Sequence, residues 1–366
     1  MKSPLLLSLL FILSTAIADT PFDWNKAKEI HARAQQGEAL NDADRQYLQE
    51  AIRRHNAGEP IGGEPAQPAN AQPQIAAWTG HLTPLTELKE KYQGEDGGLY
   101  GAGQNTAPKA QKERALAAIA KIQPLDAEGK SAKDGKIVLL SIGMSNTTME
   151  FSGYVARANT DPRRAENVVV VDGAQGGKDA TAWSKGDAPV WQVAEQRLAD
   201  AKVTPRQVQA VWIKQALIHP QKGFPAEAER LRDRLREIVT LARQKYPNLQ
   251  VAYLSSRIYA GYAKTPLNPE PYAYESAFAV RWLIEEQMKG ASGPSQEIKA
   301  PVLLWGPYLW ADGQAPRQSD QLTYGPDEYA NDGTHPGPTA RQKVAKLLQE
   351  FFATDPLAKS WYAKKP

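Results

Sequence analysis

The chain holds 366 residues, of which 42% are hydrophobic, 23% charged and 8% aromatic. That balance excludes wholesale disorder and fibrous repeats and is ample for a large buried core. Lys and Arg number 44 against 41 Asp and Glu, a net charge of +3, so no nucleic-acid footprint is expected. The absence of cysteine removes disulfide frameworks, thiolate metal sites, a Cys nucleophile and a lipidated N-terminal Cys.

Taken in chain order, Lys2 precedes a run of Leu, Phe and Ile through Leu13, and Ala16-Ile17-Ala18 gives a small-x-small pattern before Asp19. Residues 1–18 read as a cleaved secretion signal, because the apolar stretch is short for a membrane span. Export to the periplasm or the extracellular space, with no stable membrane insertion, is the expectation. Residues 19–56 carry two helical patterns separated by Gly37, the second capped by Asn41-Asp42, and together predict a helical hairpin. Residues 57–75, with Gly62-Gly63, Pro65, Pro68 and Pro73, are too polar to fold alone and read as a linker. Residues 76–135 are expected to wrap the domain that follows, and 353–366 to form a tail.

From Lys136 the pattern changes. Apolar runs at 137–142, 168–171, 208–213, 249–254 and 302–305 are rich in β-branched or aromatic residues, as suits strands buried on both faces. Amphipathic stretches at 190–201, 225–246, 274–288 and 339–352 separate or follow them. The alternation predicts an α/β domain: a doubly wound, flavodoxin-like, three-layer fold around a parallel sheet of about five strands, with the N-terminal helices as an extension. Ligands of such sheets bind beyond the carboxyl ends of the strands, so the segments after each strand are the ones to inspect.

After the first strand stands Gly143-Met144-Ser145-Asn146. A Ser entering a helix is well placed as a nucleophile, and Ser is equally a common helix cap. After the second come Asp172-Gly173-Ala174-Gln175-Gly176-Gly177-Lys178-Asp179, where glycine lets backbone N–H groups approach a substrate. A phosphate loop fails here: Asp172 takes the place of its first Gly, and Asp179 stands where Ser or Thr should hold magnesium. The third strand ends Lys214-Gln215. Gln215 offers an amide donor, and Lys214 either does electrostatic work or points into solvent. Near the C-terminus, Asn331-Asp332-Gly333-Thr334-His335-Pro336 places a carboxylate three residues before one of only five histidines. The carboxylate can turn back and fix the imidazole tautomer, leaving the other ring nitrogen to take a hydroxyl proton. No second His or carboxylate pair at metal-ligand spacing lies nearby.

In their order these four blocks resemble the SGNH or GDSL-type hydrolases over roughly residues 136–352. Gly143-Met144-Ser145-Asn146 departs from Gly-Asp-Ser and is closer to the Gly-Gln-Ser-Asn of sialate O-acetylesterase-like carbohydrate esterases. The resemblance implies ester hydrolysis through an acyl-enzyme without a cofactor. Ser145 would be the nucleophile, His335 the base and Asp332 its orienter. Ser145 and Gly176 would donate their N–H groups to an oxyanion, with Gly177 the substitute if the register slips. The family's Gly-x-Asn-Asp block is missing, which makes Gln215 the candidate third donor. Asn146, Gly177, Arg257 and Tyr259 are the expected substrate-binding residues, Arg257 as a fork for a carboxylate and Tyr259 as one of several aromatics facing a sugar ring. The expected substrate is an O-acylated carbohydrate or small ester; the competing reading keeps the fold without turnover, as an extracellular glycan-binding or surface-assembly protein.

Overall fold

A computed structural model describes residues 22–35, 40–56, 75–290 and 300–364. The predicted signal segment and all but one residue of the predicted linker lie outside the described residues. The N-terminal unit contains α1 (Trp24–Gln35) and α2 (Asp42–Asn56). Trp24, Ala27, Ile30 and Ala51 are buried in it, and Phe22 and Tyr47, stacked on one another, pack against Trp24, Ala27 and Ala51. Asp23 and Asn41 accept backbone N–H groups of the first turns of α1 and α2, which explains where both helices start.

The main unit begins at Gln72. Its early segment forms α3 (Lys109–Ile119) and packs with the last two strands. Then come β1 (Ile137–Gly143), α4 (Ser145–Thr160), β2 (Val168–Val171), α5 (Ala180–Trp183) and α6 (Pro189–Asp200). The chain continues through β3 (Val208–Lys214), α7 (Ala226–Lys245), β4 (Val251–Ser255), α8 (Tyr272–Lys289) and β5 (Val302–Trp305). It ends with α9 (Pro338–Thr354) and α10 (Lys359–Tyr362).

The five strands are all parallel, in the order β2-β1-β3-β4-β5. This is the doubly wound α/β architecture of flavodoxin-like folds. Every residue of β1, β3 and β4 is buried, so helices cover both faces, and the apolar runs are continuous rather than alternating for that reason. On one face α4 packs along α9, where Phe151 stacks on Trp212 of β3 at 5.3 Å and Phe352 meets Tyr253 of β4 at 5.4 Å. On the other, α7 packs along α8, and Trp183, Trp191 and Tyr246 fill the space beside them. Register places Gly143, the last residue of β1, beside Lys214, the last of β3. Because the strands are parallel, the segments after β1, β2 and β3 emerge at one edge of the sheet, and the reversal of strand order at β1 leaves a crevice there.

Candidate active site

Ser145 is the first residue of α4, and the N-cap position belongs to Met144, which makes no side-chain cap. The hydroxyl is therefore not spent on capping. The helix start is held instead by Thr147, whose Oγ1 donates to the Lys214 carbonyl at 2.7 Å. Gly143 makes this possible: a Cβ there would lie 2.3 Å from Thr147 Oγ1. The backbone must pass that close for α4 to begin directly against β3.

The turn before α9 brings the other groups. Tyr329 bridges Pro336, Ala330 N–H donates to the His335 carbonyl at 2.8 Å, and Gly333 takes a φ of +65°. A Cβ on Gly333 would stand 1.7 Å from the Tyr262 carbonyl oxygen, so glycine is obligatory on both conformational and steric grounds. Within this turn Asp332 Oδ1 accepts the N–H groups of Thr334 and His335, each at 3.0 Å. Asp332 Oδ2 lies 2.5 Å from His335 Nδ1, and His335 Nε2 lies 2.8 Å from Ser145 Oγ. Burial alone would raise the Asp332 pKa, but the His335 ring and the two backbone donors outweigh it and hold the carboxyl at about 2. An ionised Asp332 fixes the proton on Nδ1 and leaves Nε2 as an acceptor facing the hydroxyl.

Asn146 is fully buried and is not placed to touch a substrate. Its Nδ2 donates to the Thr334 carbonyl at 3.0 Å, tying the helix that carries Ser145 to the turn that carries His335. This tether was invisible in the sequence, where Asn146 was expected among substrate ligands.

Gln175 donates its N–H to the Gly143 carbonyl at 3.0 Å, which fastens the loop after β2 beside the start of α4. Gly176 and Gly177 follow, both exposed; Gly177 has a φ of +69°, and a Cβ on Gly176 would meet nothing within 4 Å. The Gly176 N–H finds no acceptor among the described residues. Gln215, one residue past β3, is 2% exposed, and neither its amide nitrogen nor its amide oxygen has a hydrogen-bond partner among the described residues. A buried primary amide without partners is uncommon.

Of the two alternatives for Lys214 the electrostatic one fits, and the expectation for Arg257 and Tyr259 is corrected. Lys214 does not reach solvent: it is wholly buried and forms an ion pair with Glu150 of α4. Burial pushes Glu150 up and Lys214 down to about 8, each opposed by the other's charge. Arg257 and Tyr259 do not present themselves to an outside ligand. Arg257 has no exposed surface, and Tyr259 is buried against Tyr262 and Trp310, with its carbonyl accepting from Tyr329 Oη. Trp305, Tyr308, Trp310 and Tyr274 are likewise buried in the core. The segment after β4 turns inward because Glu270, itself buried, gathers Ala260 N–H, Tyr274 N–H and Trp310 Nε1 around one carboxyl, and burial raises its pKa to about 7. Glu150 and Lys214 were missed as a pair, although each is a charge set in an apolar register, the first on the buried stripe of α4 beside Phe151 and Tyr154. Among the described residues no group of three or more His, Asp and Glu could hold a metal ion, and no helix is long and apolar enough to cross a membrane.

No known family profile and no curated protein sequence matches the chain. Among solved structures it is similar to a Bacteroides fragilis protein described as a candidate acylhydrolase, at 15% identity over 67% of this chain and 97% of that one, TM-score 0.34. It is also similar to an α/β hydrolase enzyme from the metagenome of Lake Arreo, at 15% identity over 63% and 99%, TM-score 0.33. A third is the periplasmic domain of a lipopolysaccharide acetyltransferase of Salmonella Paratyphi A, at 10% identity over 68% and 96%, TM-score 0.32. The fold stands on its own strand order, and the chemistry on the geometry above.

Proposed function

We propose that the protein is an exported serine ester hydrolase of the SGNH type, deacylating an O-acylated carbohydrate or small ester. The observation that carries this reading is the unbroken line of hydrogen bonds from Asp332 through His335 to Ser145 Oγ, spanning 190 residues of sequence. His335 Nε2 takes the Ser145 proton, and Oγ attacks the ester carbonyl. The tetrahedral oxyanion is met by the N–H groups of Ser145, at a helix N-terminus, and Gly176, and by the Gln215 amide. Collapse expels the alcohol with the proton from His335 and leaves an acyl-Ser145 ester. Water, deprotonated by the same imidazole, releases the acid and restores the hydroxyl.

The unpartnered Gln215 amide supports its place as third donor, since a buried donor that waits for an acceptor is what a preorganised oxyanion hole requires. Gly176 suits the same role through its exposed N–H. The carbohydrate preference rests on the Ser145-Asn146 block and the export signature in residues 1–18.

The test is hydrolysis of short acyl esters by the purified chain. A burst of alcohol should precede steady turnover, and the rate should fall on acidification, as the imidazole takes up a proton and loses its acceptor. An absence of turnover toward every short acyl ester would leave the alternative, a glycan-binding protein on the same fold. A flat profile between pH 5 and 8 would remove His335 as the base.

A further inference from the structure

Arg257 stands two residues past β4 without exposed surface, and its Nη1 lies 4.0 Å from the sulfur of Met144, the residue just before Ser145. Nε and Nη2 have no partner among the described residues. A buried guanidinium is ordinarily answered by a carboxylate fork, yet among the described residues no carboxylate hydrogen-bonds it, although Glu150, Glu270 and Asp332 lie within its electrostatic reach. Glu150, on α4, is engaged through Oε2 by Lys214 of β3, and its other oxygen is buried with no hydrogen-bond partner among the described residues. Glu270, before α8, accepts three donors of its own. Asp332, before α9, accepts the His335 ring and two backbone N–H groups. From the same turn Tyr329 is buried with its hydroxyl bonded to the Tyr259 carbonyl, and Arg341 of α9 adds a third cation near Glu150, after Lys214 and Arg257. Ser276 of α8 holds the Arg257 backbone N–H at 3.0 Å. Lys214, Arg257 and Arg341 all act on the one Glu150 carboxylate, so the Arg257 charge beside Met144 is only partly offset.

The proposed hydrolase has a use for such a charge. On the imidazole side of the reacting centre, Asp332 balances the proton that His335 acquires. On the oxyanion side stand only neutral donors: two N–H groups and an amide. We propose that Arg257 is a positioning residue for Ser145, a buried cation whose field favours the anion formed there. This inference rests on the ester-hydrolase reading.

The experiment compares Arg257→Met, Arg257→Gln and Arg257→Lys with the wild type on p-nitrophenyl acetate, an uncharged ester. It records kcat, KM, the acid limb of the pH–rate profile and the melting temperature. The neutral variants should lose about tenfold or more in kcat with little change in KM, as for a lost oxyanion-side interaction. Their acid limb should move to higher pH, because a missing cation lets the imidazole protonate sooner. Arg257→Lys, which keeps the charge, should return both readouts toward the wild type. Should Arg257→Met fail to fold, Arg257→Gln retains polar bulk and carries the comparison, with Arg257→Lys as its control. The proposal is overturned if the neutral variants melt lower but keep the wild-type kcat and limb, or if Arg257→Lys is as impaired as they are. A wild type inert toward the ester and toward a fluorophosphonate ends the hydrolase reading and this inference with it; an active wild type with an unmoved limb ends the inference alone.

Discussion

Ser145→Ala is expected to lose about a millionfold in ester turnover, the scale on which a serine nucleophile's removal is felt when the acyl-enzyme route closes. The variant should fold as the wild type does. Ser145 is not a helix cap, and the hydrogen bond it gives up is the one to His335 Nε2, worth about 1 kcal/mol or less of stability at a half-buried position. Steady-state hydrolysis of a short acyl ester, read beside a melting curve, checks both parts. Retained activity in a correctly folded variant would remove Ser145 from the chemistry and with it the acyl-enzyme.

His335→Ala should be nearly as severe, for a physically separate reason. Among the described residues the ring is the one group within hydrogen-bond distance of both Ser145 Oγ and the Asp332 carboxylate, so its loss leaves the hydroxyl without that acceptor for its proton. Because the two residues act as a unit, the double variant Ser145→Ala with His335→Ala should be scarcely slower than either alone. A product of two large, independent losses would mean that they serve different steps. The same substitution should also be visible in acid. With the ring present, Asp332 is held at about 2, so its contribution to stability is complete above the ordinary carboxylate range and is lost as pH falls from about 4 toward 2. Without the ring that loss should shrink but not vanish, since the Thr334 and residue-335 backbone donors remain.

Much of this arrangement was legible in the residues themselves. Parallel strands buried on both faces leave continuous apolar runs, and the five runs of the sequence became β1 to β5, with ends shifted by at most two residues. Asp332 and His335 were readable as a pair because their contact is local, made inside one turn by a spacing of three. Their meeting with Ser145 was not local; it follows from the strand order, which brings the start of α4 and the turn before α9 to one edge of the sheet. What stayed hidden was the direction in which polar side chains near strand ends point. Lys214, Gln215 and Arg257 all stand at or just past the end of a strand, where a charge suits solvent as well as a buried partner. Only the packing of α4 and α8 turns Lys214 and Arg257 inward, and Gln215, next to Lys214 in sequence, is buried too. Asn146 was hidden for the same reason, its partner being a backbone carbonyl 188 residues away. Composition does not distinguish an aromatic wall from an aromatic core: Tyr259, Tyr274, Trp305, Tyr308 and Trp310 are buried, whereas Tyr262 and Tyr272 keep partial exposure.

The central claim is that the Ser145 hydroxyl is activated by its neighbours, and covalent capture by a fluorophosphonate reads that property without knowledge of the natural ester. Digestion and mass mapping of the wild-type chain after exposure to the probe should find a single phosphonylated site, at Ser145, formed more slowly in acid and absent from His335→Ala. A wild-type chain that stays unlabelled at Ser145, or that is labelled equally well once His335 is gone, would contradict the account.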